Sequence, residues 1–444
     1  MRLIALILLI VLPLPLAAAE NVTTFTLKNG MQGVVITDRR APVVTHMVWY
    51  RVGAADEPPG KSGIAHLVEH LMFKGTRQFG PGEFSAIVSA NGGSENAFTS
   101  LDYTGYFQRV AADRLELMME MESDRMQGLI LSEEDVATER DVVLEERNSR
   151  TENNPGALFG EQRQAALYLN HPYGIPIIGW KHEIEGLTRA DALDFYRRYY
   201  APNNAILVVA GDVDPEEVEA LANRYYGRLK PAPGLKPRNR PSEPPQIAAR
   251  RLEFADSRVS QPYVIRTYLA PERNPGDQKT AAALTLLAKL LGGSGLSSVM
   301  GQKLQLEQKK ALHTSAFYDG LSLDKSGFGL VVVPVEGVSL AEAEELMDQV
   351  LADFMAEGVN AEHLARLKAQ ARASEIYARD SVQGLARRYG EALTSGLTVA
   401  DVEAWPDIIQ SVTADDIMAA AEMLFDKRRS VTGWLMRADK EATR

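Results

Sequence analysis

Residues 62–76 read SGIAHLVEHLMFKGT and place His66, Glu69 and His70 at a spacing that supports metal chemistry. At about 100° per residue, Ile64, Leu67, Val68, Leu71 and Met72 share one face of a helix. His66, Glu69 and His70 share the opposite stripe. Side chains four apart on a helix lie one above the other, so both imidazoles can converge on one cation. Two neutral imidazoles suit a catalytic zinc, and Glu69 beside them suits a base that takes a proton from the attacking water. The same residues also read as the polar face of an amphipathic helix, so a third ligand is needed to separate the two readings. Ser62 is the expected N-cap, with the helix beginning at Gly63.

The third ligand is expected in SEEDVATERDVVLEERNSR, residues 132–150. Ser132 and Asp135 have the spacing of a capping box, which predicts a helix. Glu139, Val142, Val143 and Glu146 then fall on one side, while Glu145 points about 100° away into solvent. An acid on an apolar face is costly unless it is paired or bound to metal, so helical phase favours Glu146 over Glu145 as the buried carboxylate. The alternative places both acids at a wet helix edge.

HLVEH followed from residue 139 by ERDVVLEE resembles the pitrilysin/insulinase family of zinc metallopeptidases, the inverzincins, which include bacterial relatives of the mitochondrial processing peptidase. GGSENAFTSLDYTGY, HPYGIPIIGW and YYAPNNAILVVAGDVDPEEV extend the resemblance along nearly the whole chain. The resemblance implies one Zn2+ per chain, with His66, His70 and Glu146 as ligands and Glu69 as general base. Glu139 matches the family's second acidic residue, a group that orients a ligand or the water. The implied fold is α+β: two homologous domains, each a mostly antiparallel sheet packed with helices, forming a clamshell around an extended peptide. The implied activity is that of a zinc endopeptidase. Asn96, Ala97, Phe98 and Thr99 match the strand that lies beside the zinc and pairs with substrate backbone. Read alone, Asn96 is equally a turn residue after Gly92-Gly93. His171 is expected to be structural, and His46, His182, His313 and His363 have no metal role.

Departures from the family pattern lie in the second half. LTLLAKLLGGSG stands where the zinc helix would be, without histidine or glutamate, as expected of a non-catalytic partner domain. Family members commonly carry there an arginine and, seven residues later, a tyrosine that help stabilise the oxyanion. Here those positions hold Gln305 and Leu312. The resemblance therefore points to a heterodimer with a homologous chain that lacks the zinc motif and supplies the Arg/Tyr pair. Tyr318 is the alternative within this chain, and a non-catalytic scaffold or assembly subunit is the alternative function.

The elements that must position these residues recur twice. A strand is expected over 43–49 and again over 263–269, each followed by a turn-rich stretch and an apolar helix ending in glycine. Between the repeats, residues 230–247 carry six prolines and favour extended backbone. This predicts a zinc-binding domain over 20–229, a linker over 230–247 and a homologous non-catalytic domain over 248–444. Residues 1–19, with Arg2, an apolar run over 3–16 and Ala17-Ala18-Ala19, read as a cleavable signal peptide, hence a periplasmic or secreted protein without an integral membrane span. An uncleaved anchor is the alternative. The 444 residues carry 48 Lys+Arg and 59 Asp+Glu, and the net charge of −11 argues against a nucleic-acid partner. With no cysteine, disulfides, a thiol nucleophile and cysteine-ligated metal are excluded. Gly60-Lys61-Ser62 imitates the end of a phosphate loop, but Ala55 stands where its first glycine belongs. Pro58 and Pro59 also remove amides a phosphate would need.

Overall fold

The computed structural model describes residues 21–293 and 295–438. The expected signal peptide lies outside the described residues. Six strands form the first sheet: β1 (Asn21–Thr26), β2 (Gln32–Thr37), β3 (Val43–Tyr50), β4 (Ser94–Thr99), β5 (Thr104–Ala111) and β6 (Ala205–Gly211). Their order is β1-β2-β6-β3-β5-β4, antiparallel except for the β2–β6 pair. The second sheet holds β7 (Arg250–Asp256), β8 (Tyr263–Ala270), β9 (Ala311–Tyr318), β10 (Ser326–Pro334) and β11 (Ser430–Arg437). Its order is β7-β11-β8-β10-β9, with β7 and β11 the parallel pair.

The two sheets repeat one design. β2-β6-β3-β5-β4 superimposes in order and direction on β7-β11-β8-β10-β9. The outer hairpins even share a detail: Phe98 lies over its cross-strand partner Gly105, and Phe317 over Gly329. A Cβ at either glycine would collide with the ring, so the bare backbone is what lets the aromatic cover the sheet. The expected two-domain α+β architecture is the one observed.

β6, AILVVAG, is buried at every position, which requires both faces of its sheet to be covered. One face packs on the first half's own helices, including Leu67, Leu71 and Val143. Helix Val382–Thr394, from the second half, covers the other by setting Leu385, Ala386, Tyr389 and Ala392 against Val34, Met47, Trp49, Ile206 and Val208. Gly390 lets that helix approach, since a Cβ there would strike the Trp49 indole. Helix Pro155–Leu167 makes the reciprocal contact: Phe159 packs with Ile265 and Leu435, and Leu167 with Val431, in the second half. Each sheet is thus completed by a helix from the opposite half of the chain.

Residues 230–247 form neither helix nor strand, yet they are pinned where the halves meet. Arg240, its side chain 6% exposed, lies 3.0 Å from Asp56, 2.5 Å from Asp102 and 3.0 Å from Asp324 of the second half. Arg238 donates to the carbonyls of Asp102 (2.6 Å) and Thr394 (2.7 Å). Glu243 accepts from the amides of Leu169, Asn170 and His171. Removing one member of a buried ionic cluster strands the others without a partner. Arg240→Ala should therefore lower stability by about 3–5 kcal/mol in urea unfolding. Exposed Arg198→Ala should stay within about 0.5 kcal/mol of the parent.

Candidate metal centre

The histidine helix spans Ile64–Leu71, and its N-terminus is not capped as the sequence suggested. Gly63 is the N-cap, at φ 87°, a left-handed conformation that favours glycine. Ser62 turns away, and its hydroxyl accepts from the Trp180 amide at 2.9 Å. The free amides at the helix start are taken by Glu57, whose carboxylate accepts from Gly63 (3.0 Å) and Ala65 (2.9 Å). Desolvation pushes the Glu57 carboxyl well above its usual range, and the two amide bonds oppose that push. The Ile64 amide goes to the Lys61 carbonyl at 3.2 Å, so a backbone turn and a side chain from seven residues upstream of Ile64 together close this helix end.

The carboxylate helix spans Glu133–Arg147 and starts at a capping box between Ser132 and Asp135. Val143 is buried and Glu145 exposed, but Val142 is also 44% exposed, so the apolar face is narrower than periodicity implied. The helix ends on Arg147, which is buried and bonds Glu152 (3.0 Å), both oxygens of Glu161 (2.6 and 2.8 Å) and the Gly179 carbonyl (2.8 Å). That anchor holds the preceding residue, Glu146, in place.

Glu146 Oε2 lies 3.3 Å from His70 Nε2 and 3.7 Å from His66 Nε2. The rings stand edge to face, 4.8 Å between centroids at 79°. Tetrahedral zinc holds nitrogen and oxygen ligands at about 2.0–2.1 Å, which sets them about 3.3 Å apart, so the trio fits such an ion. Burial, with smaller effects of His70 and Arg150, pushes the His66 pKa down to about 3, which leaves the ring neutral with a lone pair to offer. Glu139 Oε2 lies 3.2 Å from His70 Nδ1, and the Lys74 ammonium pairs with its other oxygen. A carboxylate can only accept here, so Nδ1 of His70 donates and Nε2 is left free for metal.

Glu69 lies beside the trio on the same helix and accepts from the Thr99 hydroxyl at 2.5 Å. Desolvation raises its pKa above the usual carboxylate range, partly offset by Thr99. Thr99 ends β4, the outer strand of its sheet, so the strand edge runs up to the site. Asn96 is in that strand, paired with Phe107, and the turn reading of it fails. Phe98 points to the other face, against Trp49 at 4.8 Å, with the Arg387 guanidinium 4.7 Å from its ring.

Other sequence candidates serve structure. His171 accepts from the Tyr173 amide and faces Asp324 at 3.2 Å, while buried His46 bridges Gln108 and Tyr226. Lys61 pairs with Asp191 at 2.9 Å. In the second half, Gln305 spends its amide on the Leu312 carbonyl (3.0 Å) and on Thr314, and Leu312 is exposed. The Tyr318 hydroxyl donates to the Pro271 carbonyl at 2.5 Å. Sequence reasoning missed Glu57, Lys74, Arg147 and Arg150. Lys74 and Arg150 stand four residues after His70 and Glu146, a spacing that was open to reading.

Residues 34–181 match the family model "Insulinase (Peptidase family M16)", and residues 186–371 match "Peptidase M16 inactive domain". The chain belongs to the insulinase family of peptidases. Zinc protease PqqE of Helicobacter pylori is 32% identical over 424 residues, 92% of this chain and 91% of that protein. A protease from Helicobacter pylori of known crystal structure superposes with TM-score 0.87 and 29% identity, covering 94% of this chain and all of that one. Pitrilysin shares the fold at TM-score 0.77 and 16% identity, with 94% of this chain covering 45% of pitrilysin. No helix among the described residues is long and apolar enough to cross a membrane.

His70→Ala and Glu146→Gln should each lose zinc in a chelator-competition titration, whereas Glu145→Gln should bind as the parent does. Glu139→Gln should weaken zinc about 10–100-fold, the usual cost of removing a group that orients a metal-binding histidine.

Proposed function

We propose that this chain is an exported zinc endopeptidase that cleaves extended peptides, with zinc held by His66, His70 and Glu146. The observation that carries the reading is a half-buried carboxylate, Glu69, set on the same helix stripe as two converging imidazoles. Zinc bound by these residues supplies Lewis acidity at the scissile carbonyl. Glu69 takes the proton of the attacking water and delivers it to the leaving amine, a task its raised pKa favours. The Thr99 hydroxyl donates to the Glu69 carboxylate and holds it in place, and Glu139 keeps His70 in the metal-binding tautomer. The open edge of β4 offers unpaired backbone to an extended peptide, which would dock as an added strand through Asn96–Thr99. Export rests on the signal-peptide pattern of residues 1–19, and the working division is a zinc domain over 20–229, a connector over 230–247 and a supporting domain over 248–444.

A related second chain is proposed to complete the enzyme. Gln305 and Leu312 offer no cation or hydroxyl, and the hydrogen bonds of Gln305 and Tyr318 are made within the second half. Pitrilysin's chain is about twice as long as the portion matched here, which supports a working unit of two such halves. The missing group favours, as a second reading, an assembly subunit that holds zinc without turning over.

Glu69→Gln should keep zinc and lose about 10²–10⁴-fold in cleavage of a quenched peptide library. Near-parent turnover by that variant would remove the mechanism. The parent chain alone should cleave weakly, and a homologous chain carrying the Arg/Tyr pair should raise its rate about 10²–10³-fold. Full activity alone, unchanged on mixing, would remove the partner.

A further inference from the structure

We propose that Arg150 forms a subsite for an acidic side chain of the substrate next to the scissile bond, an inference that rests on the peptidase reading above. Arg150 sits on Asn148–Glu152, a π-type turn that directly follows the carboxylate helix. Turns widened in this way re-aim side chains and recur at functional sites. Its Nη1 lies 2.5 Å from Glu146 Oε1, the oxygen not engaged with His66 and His70.

The neighbouring arginines divide two tasks. Arg147 is 4% exposed and spends its donors on Glu152, Glu161 and a backbone carbonyl. Arg150 is 74% exposed, and Glu146 accounts for one of its nitrogens. A guanidinium has five N–H donors in a planar fork matched to a carboxylate, so an edge remains open toward solvent at the site. A group needed only to orient Glu146 would gain from burial of that edge. Lys74, the other cation here, has its side chain largely covered and is paired with Glu139. Arg150 is thus the cation of this centre that an incoming peptide meets, and it selects Asp or Glu over neutral residues and repels Lys or Arg.

The test uses zinc-loaded Glu69→Gln protein and fluorescein-labelled peptides that carry Glu, Gln or Lys at each position flanking one bond. Binding is read by anisotropy and zinc content is measured for every variant. At one position the Glu peptide should bind about tenfold more tightly than the Gln peptide, as expected for a hydrogen bond to a charged group. Adding Arg150→Gln, which can still donate to Glu146, should bring the ratio to about one with zinc retained. Adding Arg150→Glu should turn the preference toward Lys. Equal binding of the Glu and Gln peptides at every position, or a preference that survives Arg150→Gln, would overturn the subsite. Cleavage of the same peptides by the parent chain mixed with the homologous chain that carries the Arg/Tyr pair judges the peptidase reading separately. An intact binding preference without cleavage would overturn that reading alone, and cleavage of all peptides at one rate would overturn the subsite alone.

Discussion

The meeting of Glu146 with two imidazoles fixes how two helices, distant in sequence, must cross, and much of the first half serves that crossing. Bringing His66, His70, Glu69 and Glu146 out of water is unfavourable by itself, and their ties to Thr99, Glu139 and Arg150 do not alone hold two helices together. The apolar faces of the same helices do. Leu67, Leu71 and Val143 are fully buried in one cluster, and each such side chain contributes about 1.5–3 kcal/mol. Polar ties then fix the crossing in register. Glu57 closes the start of one helix, and Arg147 anchors the end of the other.

The convergence of His66, His70 and Glu146 was legible in two steps, the phase of each helix from local spacing and the pairing of the two helices from the family resemblance. A spacing of four puts His66 over His70 whatever the rest of the chain does, and phase alone turns Glu146 inward and Glu145 outward. The repeated order of strands was legible for a similar reason, since alternation and turn residues are written within each strand. Glu57, Arg147 and Arg240 were not legible, because their partners come from other segments. Nothing local in residues 230–247 marks Arg240 as buried among Asp56, Asp102 and Asp324. The N-cap failed on the same ground: Ser62 has the right type and place, but the Trp180 amide competes for its hydroxyl and a distant carboxylate takes over.

The two halves show what a repeated scaffold keeps and what it gives up. Phe98 over Gly105 and Phe317 over Gly329 keep the outer hairpin in both sheets, because the glycine is needed wherever the ring lies. At the next residue the halves part. Thr99 donates to Glu69, whereas Tyr318 donates to the Pro271 backbone, so the same strand end serves a carboxylate in one half and a turn in the other. Packing constrains the sheet in both copies. The site constrains only the copy that holds His66, Glu69 and His70.

The exchange of helices between halves limits how such a site admits a peptide. Parting the two sheets would strip helix Val382–Thr394 from Trp49, Met47 and Val208, and helix Pro155–Leu167 from Ile265, Val431 and Leu435. At about 1.5–3 kcal/mol for each large apolar side chain, exposing Trp49, Leu385, Phe159 and Leu167 alone costs on the order of 10 kcal/mol. The Arg240 cluster adds ionic contacts that would be broken without replacement. That sum is comparable to the whole stability of an ordinary domain, so separation of the halves is unfolding rather than breathing. The clamshell within one chain is a fixed shape. In the enzyme proposed above, peptide would therefore reach Glu69 along the open edge of β4, and any closure over it would come from a surface outside these two sheets.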